Sequence, residues 1–357
     1  MDQNTETPAD PAVSASPAAR AAAPRAAAAA GAGASGRRRG AVTGLFEQVR
    51  IYLAIVGLLV ALCVFLSITQ PSFATWANFL TILETNSVLL LVAVGLTFVL
   101  LTAGFDLSVG AMLALSGVLM GKLVQQGIPL WMAIVLVIVA AAVIGLVLNG
   151  LLIGRLGLSF FVVTLGTMSL FRGAGLVVTE GYGVSLYEFE AVRALGSGRI
   201  MGIPWLVIIA LGVLVLAILV TRYTGFGRML YAVGGGPEAA RLAGIRVWAI
   251  KASAYGICAA LAALAGVLEA SRLGSASPQA GTGIELVAAA AVLLGGTSFT
   301  GGVGSMVGTL LGTLLLGVIS NGLTISQVSS FWQGIVTGCV LLAAVLLDWF
   351  RTRRERR

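Results

Sequence analysis

The sequence predicts an all-α, polytopic membrane protein with about ten transmembrane helices. Hydrophobic residues make up 58% of the 357 and charged residues only 10%, against about 25% charged in ordinary soluble domains. Mean hydropathy is +1.02, and too little polar surface remains to cover a soluble globule. The apolar residues also come in runs of the length an α-helix needs to cross a hydrocarbon core of about 30 Å. Finally, Lys and Arg fall mostly on alternate connections between those runs, as the charge rule for membrane topology requires.

In chain order the runs lie near Ile51–Thr69, Asn86–Thr102, Leu107–Val124, Trp131–Ile153, Ser159–Val178, Pro204–Thr221, Trp248–Ala270, Glu285–Thr297, Val303–Gly322 and Phe331–Phe350. The eighth is short. The sequence LLGGTSFTGG (Leu293–Gly302) that follows it is a candidate for broken or re-entrant backbone, which membrane proteins tolerate only where protein or water satisfies it.

With the N-terminus in the cytoplasm, the inner side receives Arg20, Arg25, Arg37–Arg39, Arg50, Arg155, Arg222, Arg228, Arg241, Arg246, Lys251 and five arginines after Trp349. The outer side receives Lys122, Arg193, Arg199 and Arg272, and Arg172 falls inside a span. Both termini are therefore expected in the cytoplasm. The net charge of +8 reads as topology and attraction to the anionic bilayer rather than nucleic-acid binding. Residues 1–43, rich in Ala and Pro, read as a disordered cytoplasmic tail. Residues 44–350 read as the transmembrane domain, with a cytoplasmic loop over 222–247, and 351–357 as a basic tail.

Several chemistries are excluded. No histidine is present, which removes imidazole as base, proton relay or metal ligand. Cys63, Cys258 and Cys339 sit in apolar runs without ligand spacing, so neither metal site nor disulfide framework is indicated. The one Gly-Lys pair, Gly121-Lys122, has Ser116 and Leu123 where a phosphate-cradling loop needs Gly and Ser or Thr. Any ATP must then be hydrolysed by a partner. An ion-coupled secondary transporter would be expected to bury carboxylates in its spans, whereas Glu84, Asp106, Glu180, Glu188, Glu190, Glu269, Glu285 and Asp348 fall at helix ends and loops. That reading stays open as an alternative, and an intramembrane enzyme has less support still.

Four segments, in order and at familiar spacing, resemble the monosaccharide (ribose-type) family of ABC importer permeases: Leu101–Gly117 (LTAGFDLSVGAMLALSG), Leu148–Gly173, Gly227–Ile245 (GRMLYAVGGGPEAARLAGI) and Ser271–Leu323. The resemblance covers Ile51 to Asp348, with departures at Gly236, Val287, Val303 and Ser159-Phe160. It implies a multi-pass inner-membrane subunit without catalytic, cofactor or metal residues of its own. A cytoplasmic ABC ATPase would use ATP and magnesium, and a periplasmic or lipid-anchored binding protein would deliver the sugar. A second, identical or similar permease would complete the path. A branched-chain amino-acid or nucleoside permease is the nearest alternative substrate class.

The resemblance assigns ATPase coupling to Gly234, Pro237, Glu238, Ala239, Ala240, Arg241 and Gly244. The residues themselves allow either a solvated connector or a short docking helix. In the second case Pro237 opens the helix, Glu238 meets its positive end, Gly244 closes it and Leu242 is an apolar anchor. Asp106 is expected either to cap a third span beginning at Leu107 or to act in a gate or cavity. Asn149, Thr164, Thr167, Asn321 and Gln333 offer hydrogen-bonding groups to a path, although intramembrane polar groups more often join helices. Gly308, Gly312 and Gly317 form a small-residue seam. GFDLSVGAMLALSG and TSFTGGVGSMVGTLLG resemble each other weakly, as an internal repeat would.

Overall fold

The computed structural model describes Arg50 and residues 52–355. The chain divides after Arg50 into two units, and every element below belongs to the second. The expected tail over 1–43 and the last two residues lie outside the described residues.

Helices α1 (Tyr52–Thr69), α2 (Trp76–Leu101), α3 (Val109–Gln125), α4 (Leu130–Gly154), α5 (Phe160–Thr179), α6 (Glu190–Ser197), α7 (Trp205–Tyr223), α8 (Gly225–Gly235), α9 (Pro237–Leu242), α10 (Val247–Leu273), α11 (Ile284–Leu294), α12 (Met306–Ile325) and α13 (Ser330–Glu355) follow in order. Seven of them, α1, α2, α4, α5, α7, α10 and α12, are long and apolar enough to cross a membrane. Helices α3 and α11 and part of α13 are shorter apolar helices. Two antiparallel pairs of two-residue strands trim the connections: β1 (Val184–Ser185) with β4 (Ser275–Ala276), and β2 (Arg199–Ile200) with β3 (Ile203–Pro204). The protein is thus an all-α polytopic membrane protein.

The core is built around α2 and α10. Their buried residues run nearly round the whole helix, as in α2 from Asn86 to Leu101 and in α10 from Ala252 to Ser271; a helix apolar on all sides is a buried one. Small residues let neighbours approach. A Cβ on Gly266 would collide with the Leu113 carbonyl of α3, and one on Gly150 would meet the Ala252 backbone. Helix α4 changes to π-helical hydrogen bonding over Gly145–Leu151, with Gly145 and Gly150 both against α10. Such π segments within an α-helix are rare and occur frequently at functional sites; this one carries the buried Asn149.

Several boundaries differ from the sequence reading. Helix α2 starts at Trp76, not Asn86, because Thr75 caps it, its Oγ1 accepting from the Asn78 N–H at 3.3 Å. The third span starts at Val109 rather than Leu107. The predicted loop 222–247 is mostly helical: α7 runs to Tyr223, Thr224 caps α8, and α9 and α10 follow at once. Gly234 is a buried residue of α8, not part of an exposed loop. Helix α11 ends at Leu294, and α12 resumes only at Met306. Between them, Gly296, Gly301, Gly302 and Gly304 carry positive φ values, so LLGGTSFTGG leaves the helix and continues in turns.

Candidate functional site

Two irregular turns meet inside the molecule. One, Thr102–Ser108, joins α2 to α3; the other, Gly295–Ser305, joins α11 to α12. The Gly302 N–H donates to the Leu101 carbonyl at 3.1 Å, and the Phe105 and Phe299 rings pack with centroids 5.6 Å apart. The weakly similar sequences are therefore placed alike, each containing a helix break and each touching the other. The end of α8 closes the junction. A Cβ on Gly234 would collide with the Leu101 carbonyl and the Gly302 nitrogen, and Gly302 lies against Gly235 in turn. Glycine is required here because three backbones share the space one side chain would fill.

The first turn also carries Asp106, which is 1% exposed. Its Oδ1 accepts from the Ser108 N–H at 2.8 Å and the Ser108 Oγ at 2.6 Å. Asn149 Nδ2 donates to Asp106 Oδ2 at 3.3 Å and to Ser108 Oγ at 2.9 Å. Thr167 of α5 donates to Asn149 Oδ1 at 2.8 Å. Both ion pairs among the described residues, Arg199–Glu84 and Arg241–Glu238, lie elsewhere. The carboxyl group is thus held by neutral donors, as a buried polar group requires. Tyr255 of α10 adds a bond from its hydroxyl to the Phe105 carbonyl at 3.2 Å.

Asp106 does satisfy a helix-start N–H, but from outside the helix. Ser108, in helical geometry, occupies the cap position and makes no side-chain cap bond. Of the polar candidates, the structure brings together Asp106, Asn149 and Thr167. Thr164 bonds to its own helix at Phe160. Asn321 forms a reciprocal amide pair with Asn78 at 2.9 and 3.1 Å on the α12–α2 contact. Gln333 lies on α13, with its side chain outside the described ones. Ser108 and Tyr255 were missed by the sequence reading. Ser108 stood within the quoted GFDLSVG, and a lone tyrosine in the apolar run of α10 was a signal for the other.

Beyond Gly236 the chain turns outward. Pro237 occupies the first turn of α9, Glu238 sits at its N-terminal end and pairs with Arg241 at 3.4 Å, and Ala240 is buried beneath. Gly244 has φ +81°, and the Gly244 and Ile245 N–H groups donate back to the Arg241 and Ala240 carbonyls at 3.0 Å. This left-handed close is the usual glycine ending of a helix. Leu242 is 90% exposed.

Comparison with known proteins bears on this arrangement. Residues 78–345 match a family model described as a branched-chain amino acid transport system/permease component. The chain is 42% identical over 317 residues to a ribose import permease of Escherichia coli K12, covering 88% of this chain and 97% of the relative. It is 44% identical over 288 residues to that of Bacillus subtilis 168, covering 80% and 89%. The D-allose transport system permease of Escherichia coli K12 is 38% identical over 292 residues, covering 82% and 89%.

The chain belongs to the ribose-type family of ABC importer permeases.

As a permease component it is a transport subunit and not an enzyme, and the ATPase and the substrate-binding protein of such an importer are separate chains. The permease is a multi-pass inner-membrane protein. No solved structure is matched by the chain.

Proposed function

We propose that this permease, paired with an identical or similar second copy, forms the path by which a monosaccharide, a ribose-like pentose or a hexose, enters the cell. ATP hydrolysis by a cytoplasmic partner drives the passage. The sugar assignment rests on the ribose and allose relatives, and the coupling on one observation: α9 follows directly from the helix whose end, Gly234–Gly235, packs against the last residue of α2, Leu101, and against Gly302 of the second turn. The partner ATPase would grip Pro237, Glu238, Ala239, Ala240, Arg241 and Leu242, with Gly244 fixing the end of α9. Movement of α9 would then reach Leu101 and Gly302 through two residues of backbone. The ATPase couples to transport only through its different affinity for the two permease states.

In this reading all ten apolar helices cross the membrane, both termini are cytoplasmic, and residues 1–43 and 351–357 are tails flanking the permease domain. Asp106, Asn149 and Thr167 tie the first turn to α4 and α5 and act as a gate. Thr164, Asn321 and Gln333 line the path or its helix contacts. Proteoliposomes containing the permease, its ATPase and its binding protein should accumulate D-ribose with ATP and not with a proton gradient alone. Uptake driven by the gradient without ATP would overturn the proposal in favour of ion-coupled transport.

A further inference from the structure

A cavity of about 210 Å³ opens between α2, α11 and α12, in the half of the protein that the proposed topology places outside. That volume is many times the roughly 10–15 Å³ a single water needs. Thr85, Asn86, Ser320 and Asn321 line it, with Leu89 and Leu316 also in its wall, and no charged side chain is among its lining. Thr85 and Ser320 are exposed within it. A surface of hydroxyls and amides gains nothing from lipid chains, which offer no hydrogen bonds, so it faces water, a solute or another polypeptide.

Three details suit a solute. Gly317 stands bare beneath the Asn86 carboxamide, and any Cβ there would collide with both polar atoms of that amide; the absent side chain is what leaves Asn86 room beside the cavity. The Asn321 amide is pinned by its reciprocal bonds to Asn78. An amide has two N–H groups and two lone pairs on oxygen, so these bonds orient Asn321 without using all of its capacity. At the rim, Arg272 Nη1 donates to Thr85 Oγ1 at 3.4 Å. The result is an apolar wall beside neutral donors and acceptors.

We propose that this cavity is the outer subsite for a neutral polyhydroxylated solute, and that its neutral lining, without a carboxylate to pair an ammonium, favours a sugar over an amino acid. An amino-acid zwitterion would find Arg272 at the rim for its carboxylate but no carboxylate in the lining for its ammonium, and burying unpaired charge is costly. A sugar can place its C–H face on Leu89 and Leu316 and its hydroxyls on the polar edge. The inference rests on the monosaccharide reading and locates where that substrate is first held.

The test uses right-side-out membrane vesicles carrying the complete importer, with Cys63, Cys258 and Cys339 replaced by Ala and with Ser320→Cys. A membrane-impermeant maleimide should label the variant from outside. D-Ribose should slow labelling at least about fivefold and L-leucine should leave it unchanged; adding Thr85→Val should raise the ribose concentration needed by about fivefold, the effect of one lost neutral hydrogen bond. Labelling indifferent to ribose, protection by leucine, or a disulfide between two Ser320→Cys copies would each overturn the subsite, the last by showing that the face joins two permeases. ATP-driven ribose uptake by the unmodified importer is measured alongside. If uptake is intact while protection fails, the subsite alone is lost; if neither ribose nor a hexose such as allose is taken up, the sugar reading itself fails.

Discussion

Asp106 shows how a single residue can be legible in type and illegible in role. A carboxylate before LSVG promises a cap, and the structure does give it the Ser108 N–H. It also gives it the Ser108 hydroxyl and the Asn149 amide, which lies 43 residues away in the π segment of α4. Asp106→Asn keeps an oxygen for Ser108 and should retain most transport, with stability reduced by about 1 kcal/mol, one typical hydrogen bond. Asp106→Leu strands the Ser108 N–H, at about 1–3 kcal/mol for a buried orphan, leaves the Asn149 amide nitrogen only its bond to Ser108 Oγ, and should damage folding or assembly. Thermal unfolding of the purified permease measures both, and equal midpoints would refute the network. A stable Asp106→Asn protein without uptake would show instead that the negative charge itself works the gate.

At the scale of elements, α9 is a helix both of whose ends carry local sequence signals. Pro237 at its start and Gly244 after its end are local backbone signals, and neither depends on the rest of the fold. Gly244→Val forces a β-branched residue into left-handed backbone, at roughly 1–2 kcal/mol, and should distort α9 while leaving every long apolar helix unaltered. The expected outcome is normal membrane level with reduced ATPase co-purification and reduced ATP-driven uptake. Glu238→Lys, which removes the Arg241 pair and reverses the charge at the N-terminal end, should do the same more mildly. Undiminished ATPase binding and uptake in both variants would separate α9 from coupling. The small-residue seam on α12 was also visible, but its partners were not: Gly308 packs on Gly295, Gly312 on the Ala291 carbonyl and Gly317 on Asn86. Three glycines on one helix thus serve two neighbours, α12 meeting the end of α11 at the first two and α2 at the third.

On the scale of the whole molecule, the junction of Leu101, Gly234 and Gly302 links the exposed α9 to both internal turns. Gly234→Ala should leave the surface of α9 intact, so that the ATPase still co-purifies, while wedging α8 away from the turns and lowering uptake; loss of ATPase binding in step with uptake would argue against transmission through this junction. Topology is tested separately. A reporter fused after Arg357 should be cytoplasmic and one inserted near Tyr187 external, and finding both on one side would exclude the proposed orientation.

Composition and run length by themselves determined the membrane class, the helical fold and the approximate positions of the apolar helices, because a bilayer imposes one length and one polarity on any helix that crosses it. The sequence also carried the local end signals of α9, Pro237 and Gly244, while its residues left a helix and a plain connector equally open. Only the tertiary structure decided that Gly234 is a contact point rather than a loop residue, that α2 begins ten residues before Asn86, and that Asp106, Asn149 and Thr167 form one network while Asn321 pairs with Asn78. The physical reason is the same in each case. In an apolar helix every residue suits lipid and protein equally well, so hydropathy cannot say which face is buried or which distant polar group will answer another; close approach at glycine and the pairing of hydrogen bonds across helices make that choice.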